Sequence, residues 1–344
     1  MVAVSWSTEF LSSQRVSGDD EADRFIETQF TDTSSKLAFQ QWLNSLGSNE
    51  ALRHLPAAYQ CPPVSPALQL PAWANRHMMA NGAAFFAKHA EQIMQLLGLL
   101  SLPYCYAAAD GAKVLHLSQR LTHDAGKRLT DTASFVWDVL SPRAFAPGGK
   151  GFTAILKIRL THAAGRYYLL RAGTWDFADG YPINQEDMAG TNLAFSLIVI
   201  RGLRKLGHSI SYADQQAFLH LWNVIGSLMG IREPLITHDG KSANLLEQAI
   251  RTRHFKASEH GRELTRSLTA YFTGAISSRV TEKEIRQLMR YLLGDEPANL
   301  LGIDEPVPVH LPYLLRINSA VLAFTPGETA DAAWYRKSRT FQRR

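Results

Sequence analysis

From Met78 to Leu100 apolar side chains run nearly all the way round a helical wheel, which predicts a helix enclosed by protein. Gly82, Ala83 and Ala84 predict a flat spot on it where another element comes close. The same helical period recurs in DEADRFIETQF and SSKLAFQQWLNSLG near the N-terminus, in DTASFVWDVL ahead of Pro142, and in FTAILKIRLTHAAGRYYLLRAG from Phe152. It returns in SYADQQAFLHLWNVIGSLMGI, where Phe218, Leu221, Trp222, Ile225, Leu228 and Met229 make a wide apolar stripe. KSANLLEQAIRTRHFKASEHGRELTRSLTAYF adds two helices, with Glu259 and Glu263 available to Arg262 or Arg266, and VTEKEIRQLMRYLLG and HLPYLLRINSAVLAF close the set. About eleven helical patterns result, with no sustained alternation that would make a strand and no repeat period. The expectation is an all-α fold in a single multi-helix domain.

Two of these helices carry polar groups where the pattern predicts burial. In the helix from Phe152, Arg159, His162 and Arg166 sit at i, i+3 and i+7 and share one face, while Leu156, Leu160, Ala163, Ala164 and Tyr167 supply apolar surface. Buried Arg and His need partners. The next helix opens with YPINQEDMAGT: Pro182 stops the loop, Asn184 is placed to cap, Asp187 stands at the capping-box position, and the helix is expected to run to Leu206. Thr191 lies one turn beyond Asp187, and Ala194, Ile198 and Arg201 continue that face. A bland reading accounts for the same spacing: Asp187 caps, Thr191 bonds back to its own helix, and Arg159 and Arg166 pair with structural carboxylates.

Composition narrows the classes. In 344 residues, 46% are hydrophobic, ample for a sizeable core, and 36 Lys+Arg against 31 Asp+Glu leave a net charge of +5. Arg336, Lys337, Arg339, Arg343 and Arg344 supply much of that excess, so residues 331–344 read as a basic, solvated tail on a nearly neutral body, and no nucleic-acid-binding face is indicated. Cys61 and Cys105 cannot build a disulfide framework, the N-terminus carries no signal-peptide pattern, and no run is long and apolar enough to span a membrane; the cytoplasm is the expected location. Residues 1–72 read as a helical N-terminal extension ending in the proline-rich QCPPVSPALQLP.

Several chemistries are missing from the chain. There is no Glu-x-x-His pair for a di-iron site, no His-Glu-x-x-His for zinc, no Cys-x-x-Cys-His for covalent haem and no Gly-x-Ser-x-Gly elbow. The loop APGGKG lacks the spacing of a phosphate cradle. His77 and His89, twelve apart, share a face only loosely and read as surface or capping residues, and His116 and His123 have no carboxylate at matching spacing and read as structural.

KIRLTHAAGRYYLL, PINQEDMAGTNLAF and FLHLWNVIGSLMGI, preceded by YAAADGAKVLHLSQRLTHDAGKRLTDTASFVWDVL, resemble in order the domain shared by MpaB-type oxygenases and the latex-clearing rubber oxygenases, over roughly residues 100–270. The resemblance implies an all-helical domain with a globin-like core over residues 73–330, a b-type haem, and oxidation of a small apolar substrate with O2 or peroxide. It also implies that Arg159 and His162 face the haem and that Tyr104 and Lys113 lie near a propionate; Arg166, on the same face of the helix, is read with them as a haem-binding cation. A haem-binding His is implied on the following helix, where this chain has Thr191, Asn192 and Leu193. His162 is then the axial candidate, His220 the alternative, and a second protein ligand stays open. Arg159, Thr191 and Asp187 are the catalytic candidates. The competing class is a helical protein that binds haem or a hydrophobic ligand without turning it over; one open coordination position favours oxygen chemistry, two strong ligands favour storage or electron transfer.

Overall fold

The computed structural model describes residues 6–122, 125–275 and 281–311. Three helices come first: α1 (Thr8–Arg15), α2 (Asp20–Gln29) and α3 (Thr33–Ser45). After a connector of turns come α4 (Arg76–Leu96), α5 (Leu102–Tyr106), α6 (Ala109–Thr122), α7 (Ala125–Val139) and α8 (Gly151–Arg171). Then follow α9 (Gln185–Phe195), α10 (Leu197–Lys205), α11 (Tyr212–Leu228), α12 (Gly240–His254), α13 (Glu259–Ala275), α14 (Glu282–Leu293) and α15 (Asp295–Leu300). Among the described residues there is no strand, only the isolated bridge Ala108–Phe255, so the all-α expectation holds. His123, the helix expected in HLPYLLRINSAVLAF beyond Leu311, and the basic tail fall outside the described residues.

The expected flat spot on α4 is used. A Cβ at Gly82 would come within 2.6 Å of the Ala217 carbonyl oxygen, so only glycine lets α4 and α11 approach this closely. Phe86, Ile93 and Leu96 from α4 and Phe218, Leu221 and Trp222 from α11 are buried in the main core. His89 lies at a non-helical kink in α4 and is buried against Phe85 and His208, an environment its spacing did not reveal. At the end of α4 the chain widens into a π-helical turn over Leu97–Ser101 before Pro103 enters at the start of α5. Proline has no N–H to continue the ladder, and a first helical turn is where that loss costs least.

Where one helix was expected from Gln185 to Leu206, there are two. Ser196 breaks the run at φ −113°, ψ −78°, its hydroxyl donating back to the Asn192 carbonyl at 2.7 Å. Such back-bonding diverts a carbonyl from the helical ladder and bends or breaks the rod.

A second, smaller core lies under the N-terminal helices. Phe25, Phe30, Phe39, Trp42 and Tyr59 meet largely edge-on, and with Ala22 and Ile26 they pack on Phe152, Leu156, Leu160 and Ala163 of α8. Helix α8 is therefore shared by both cores: Ile155 joins the main one while Leu156 and Leu160 join the smaller.

Candidate functional site

The stripe on α8 is built as its spacing predicts, and the partners come from the far N-terminus. Arg159 makes a two-pronged contact with Asp19, Nη2 to Oδ1 at 2.8 Å, and reaches Glu21 at 3.2 Å. Asp19 also caps α2, accepting from the Ala22 N–H. One turn of α2 later, Asp23 accepts from Arg166 Nε at 2.6 Å. Arg166 is the largest fully buried side chain, 1% exposed; its Nη1 donates to the Ile183 carbonyl at 3.1 Å, and its Nη2 has no partner among the described residues. Both arginines thus find the carboxylates that the bland reading called for.

His162 sits between them, half-buried, with a buried Nδ1 that has no hydrogen-bond partner. Burial first, and the Arg166 cation second, push its imidazole down to about 4, against the pull of Asp19. The ring is neutral at ordinary pH, the form that can ligate a metal. Burial also raises the Asp23 carboxyl, opposed by Arg166.

Ile183, whose carbonyl receives Arg166, has φ +51°, a conformation rare for any L residue and an outlier for a β-branched one. That strain precedes Asn184, which caps α9 as expected by accepting from the Asp187 N–H at 2.9 Å. Its amide also donates to the Asp187 carboxylate at 2.7 Å, so Asp187 is both capped and oriented.

Asp187 does more than serve the cap. Arg15, at the end of α1, donates to it at 3.0 Å, to Asp110 on α6 at 2.9 Å and to the Asp179 carbonyl at 2.7 Å. Burial raises the Asp187 carboxyl, with Arg15 opposing. Nearby, Cys105 on α5 is deep enough for burial to push its thiol up to about 12, partly offset by a hydrogen bond with the Thr191 hydroxyl. Thr191, Cys105 and Asp187 nevertheless all keep accessible surface near the start of α9. The segment joining α1 to α2 spans both halves: Arg15 holds the α9 side and Asp19 and Asp23 hold the α8 side.

His220 has different employment. Its Nε2 accepts the Asn75 N–H at 2.9 Å, at the start of α4, with Trp73 edge-on at 5.7 Å. Burial and then His238 lower its pKa, the Asn75 bond opposing. Serving iron through that nitrogen would forfeit the Asn75 contact. Tyr104 donates to Glu247, and Lys113 pairs with Asp179 and lies over the Trp175 ring. Among the described residues, no three His, Cys, Asp or Glu side chains gather as a metal-binding group.

Spacing missed Arg15, Asp19, Asp23, Cys105 and Ile183. The acid run in SGDDEAD was the available signal for two of them: of its four carboxylates, Asp19, Glu21 and Asp23 pair with Arg159 and Arg166 of α8, and Asp20 turns to Arg232.

Known proteins bear on this geometry. Residues 75–321 match the family model described as ER-bound oxygenase mpaB/B'/Rubber oxygenase, catalytic domain. The rubber oxygenase of Streptomyces sp. (strain K30) is 25% identical over 240 residues, 69% of this chain and 58% of that protein, so the match spans somewhat over half of the relative's length. The structure of latex clearing protein in its closed state superposes with a TM-score of 0.77 at 22% identity, covering 94% of this chain and 90% of that one. The second likeness carries the fold.

Proposed function

Because this chain belongs to the mpaB/B'/rubber oxygenase catalytic-domain family, we propose that it is an oxygenase or peroxygenase that uses a b-type haem held by His162 and oxidises a small apolar organic substrate. The observation that carries this reading is a neutral, half-buried His162 with a partnerless Nδ1, one turn of α8 before Arg166, whose Nη2 is also partnerless among the described residues. An imidazole nitrogen and a guanidinium N–H left without partners on one helix face are the donor types a non-covalent haem asks for, and that match of chemistry supports the group here. Bound there, haem supplies the activation of O2 or peroxide.

The chain's own residues divide the remaining work. Arg166 would receive a propionate through Nη2 while Asp23 keeps the rest of its fork fixed. Arg159, occupied by Asp19 and Glu21, holds α8 in register and lends positive charge beside His162. Asp187, with its carboxyl raised by burial against the pull of Arg15, and Thr191, one turn further along α9, would be the groups that take up and pass on a proton. Helix α2 packs over the α8 stripe and would limit the access of water to it.

The test is absorbance during hemin titration of the purified protein. One equivalent bound with a Soret band is expected, and His162→Ala should lose uptake or shift the band. A chain that takes up no hemin refutes the reading. Two strong protein ligands in the spectrum would instead favour the non-catalytic haem-binding class.

A further inference from the structure

Asp187 belongs to a larger group of charges gathered from α1, α6, α9 and α12. Arg15 clamps two carboxylates with one fork, Asp187 through Nη1 at 3.0 Å and Asp110 through Nη2 at 2.9 Å. Asp110 Oδ2 in turn lies 3.8 Å from Nδ1 of His254, the last residue of α12. The other ring nitrogen, Nε2, lies 2.9 Å from Glu186 Oε1, which also takes Arg253 Nε at 2.8 Å. His254 is 5% exposed and Glu186 fully buried, its Oε2 without a partner among the described residues. Neither nitrogen of His254 is aligned as a hydrogen bond, so what the imidazole gives these neighbours is charge.

Counting charges says that a proton belongs here. Asp110, Glu186 and Asp187 bring three negative charges, and Arg15 and Arg253 bring two positive ones. One negative charge is left over where an unbalanced charge is costly, and one proton cancels it. Asp110 and Glu186 are poor places for it. His254 foremost, with Arg15 behind it, holds Asp110 below the usual carboxylate range against burial; burial pushes Glu186 up, but His254 and Arg253 outweigh it. His254 and Asp187 are better places. Burial pushes His254 down, yet Asp110 and Glu186 prevail and raise it above its usual 6.5; burial raises Asp187, with Arg15 and then His254 opposing. Other charges stand further off: Lys256 is exposed and acts on Asp110, and Arg201 of α10 turns to Glu247, two turns earlier on α12. Among the described residues α11, which also packs on α12, makes no ion pair with it.

We propose that His254 and Asp187 share one proton, resident on His254 and lent to Asp187, which makes His254 the residue that sets when Asp187 is loaded. The proton leaves Nδ1 for Asp110 Oδ2, crossing the 3.8 Å gap by a turn of the ring or through one water, and passes from the Asp110 carboxyl to Asp187, its partner on the Arg15 fork. The net charge of the group is the same before and after. The inference rests on the oxygenase reading for the use of a proton at Asp187, and on these contacts alone for the sharing.

The test is an NMR pH titration of the full chain without haem, following the His254 imidazole Cε1 and the Asp187 carboxyl carbon, with hemin then titrated into the same samples. His254 should titrate above 6.5. Asp187→Asn should lower the His254 midpoint by about one pH unit, and His254→Gln should raise the Asp187 midpoint by the same amount, because coupling between two sites is reciprocal. His254→Lys, which fixes a positive charge at that place, should leave the Asp187 midpoint at or below that of wild type, a sign that lost packing does not produce. Midpoints that ignore each other's substitution, or an Asp187 midpoint raised equally by Gln and Lys, overturn the proposal. If a His254 variant loses helicity in circular dichroism, Asp187→Asn decides, and an unmoved His254 midpoint overturns it. Hemin uptake separates the two readings: reciprocal shifts without uptake keep the shared proton and refute the oxygenase, and uptake with independent midpoints does the reverse.

Discussion

Helices α4 and α8 are both 21 residues long, and they are seated in the fold by opposite means. On α4 a glycine notch lets α11 come within backbone contact, and the interface closes chiefly with apolar side chains, with the His220–Asn75 bond at its edge. On α8 an apolar strip is flanked by two arginines and a histidine, and the interface closes only when α2 brings Asp19 and Asp23 to them. An apolar contact tolerates small errors of volume at moderate cost, whereas a buried charge that loses its partner has no cheap alternative. The contrast teaches where function can be housed. Helix α4 supplies an apolar seat for α11, while α8 holds polar groups with valences left over, at His162 Nδ1 and Arg166 Nη2.

The largest effect should come from breaking the α2–α8 contact. Arg166→Ala leaves Asp23 without its cation and should cost about 3–5 kcal/mol in urea unfolding. Pairing Arg166→Met with Asp23→Leu should recover most of that loss, since two apolar groups of similar bulk need no partner. If the single change costs under about 1 kcal/mol, the pair is not what holds α2 on α8.

The α4–α11 contact should yield less. Gly82→Val meets the Ala217 carbonyl at 2.6 Å and forces the helices apart, at about 1–3 kcal/mol by thermal or urea unfolding. A variant as stable as wild type would show that the close approach is not required.

This difference also explains what was legible in the sequence. The notch at Gly82 was readable because a small residue in an all-round apolar helix has one structural meaning. Arg159, His162 and Arg166 were readable as one face, because i, i+3 and i+7 fix direction within a helix. Their partners were not, because Asp19 and Asp23 lie 140 and 143 residues away and a helix wheel carries no information about its neighbour. The same limit hid Arg15 and its link to Asp110 and Asp187. Ser196 was missed for another reason: its hydroxyl has both a helical and a helix-breaking use, and only tertiary packing decides. The α9 cap was read correctly because Asn184 and Asp187 act within one turn.

A smaller effect should appear in the pH dependence of stability. His162 is depressed from its usual 6.5 to about 4, so the folded state binds fewer protons there than the unfolded chain. Its contribution is complete above pH 6.5 and is lost as pH falls toward 4. Asp23 and Asp187 act with the opposite sign, because raised carboxyls favour the fold when protonated, and their contribution fades as pH rises above the usual carboxylate value of 3.8. The urea midpoint should therefore decline from pH 6.5 to 4, and His162→Gln should flatten that decline. An unchanged profile in His162→Gln would place the imidazole in water.

The smallest change tests which helix carries the iron. His220 and His162 are both neutral, but His220 already spends Nε2 on the Asn75 N–H at the start of α4. That site is near solvent, so water can replace the lost acceptor, and His220→Ala should cost only about 0.5–1.5 kcal/mol. Its hemin titration should match wild type in stoichiometry and Soret position. His162→Ala should retain the α4 contact and lose hemin, because removing the imidazole removes the donor on the α8 face. The two variants therefore separate stability from cofactor binding: one lowers the unfolding midpoint slightly and leaves the spectrum alone, and the other abolishes the spectrum. The reverse outcome, with hemin lost only in His220→Ala, would move the iron to α11 and leave the α8 stripe as nothing more than the seat of α2.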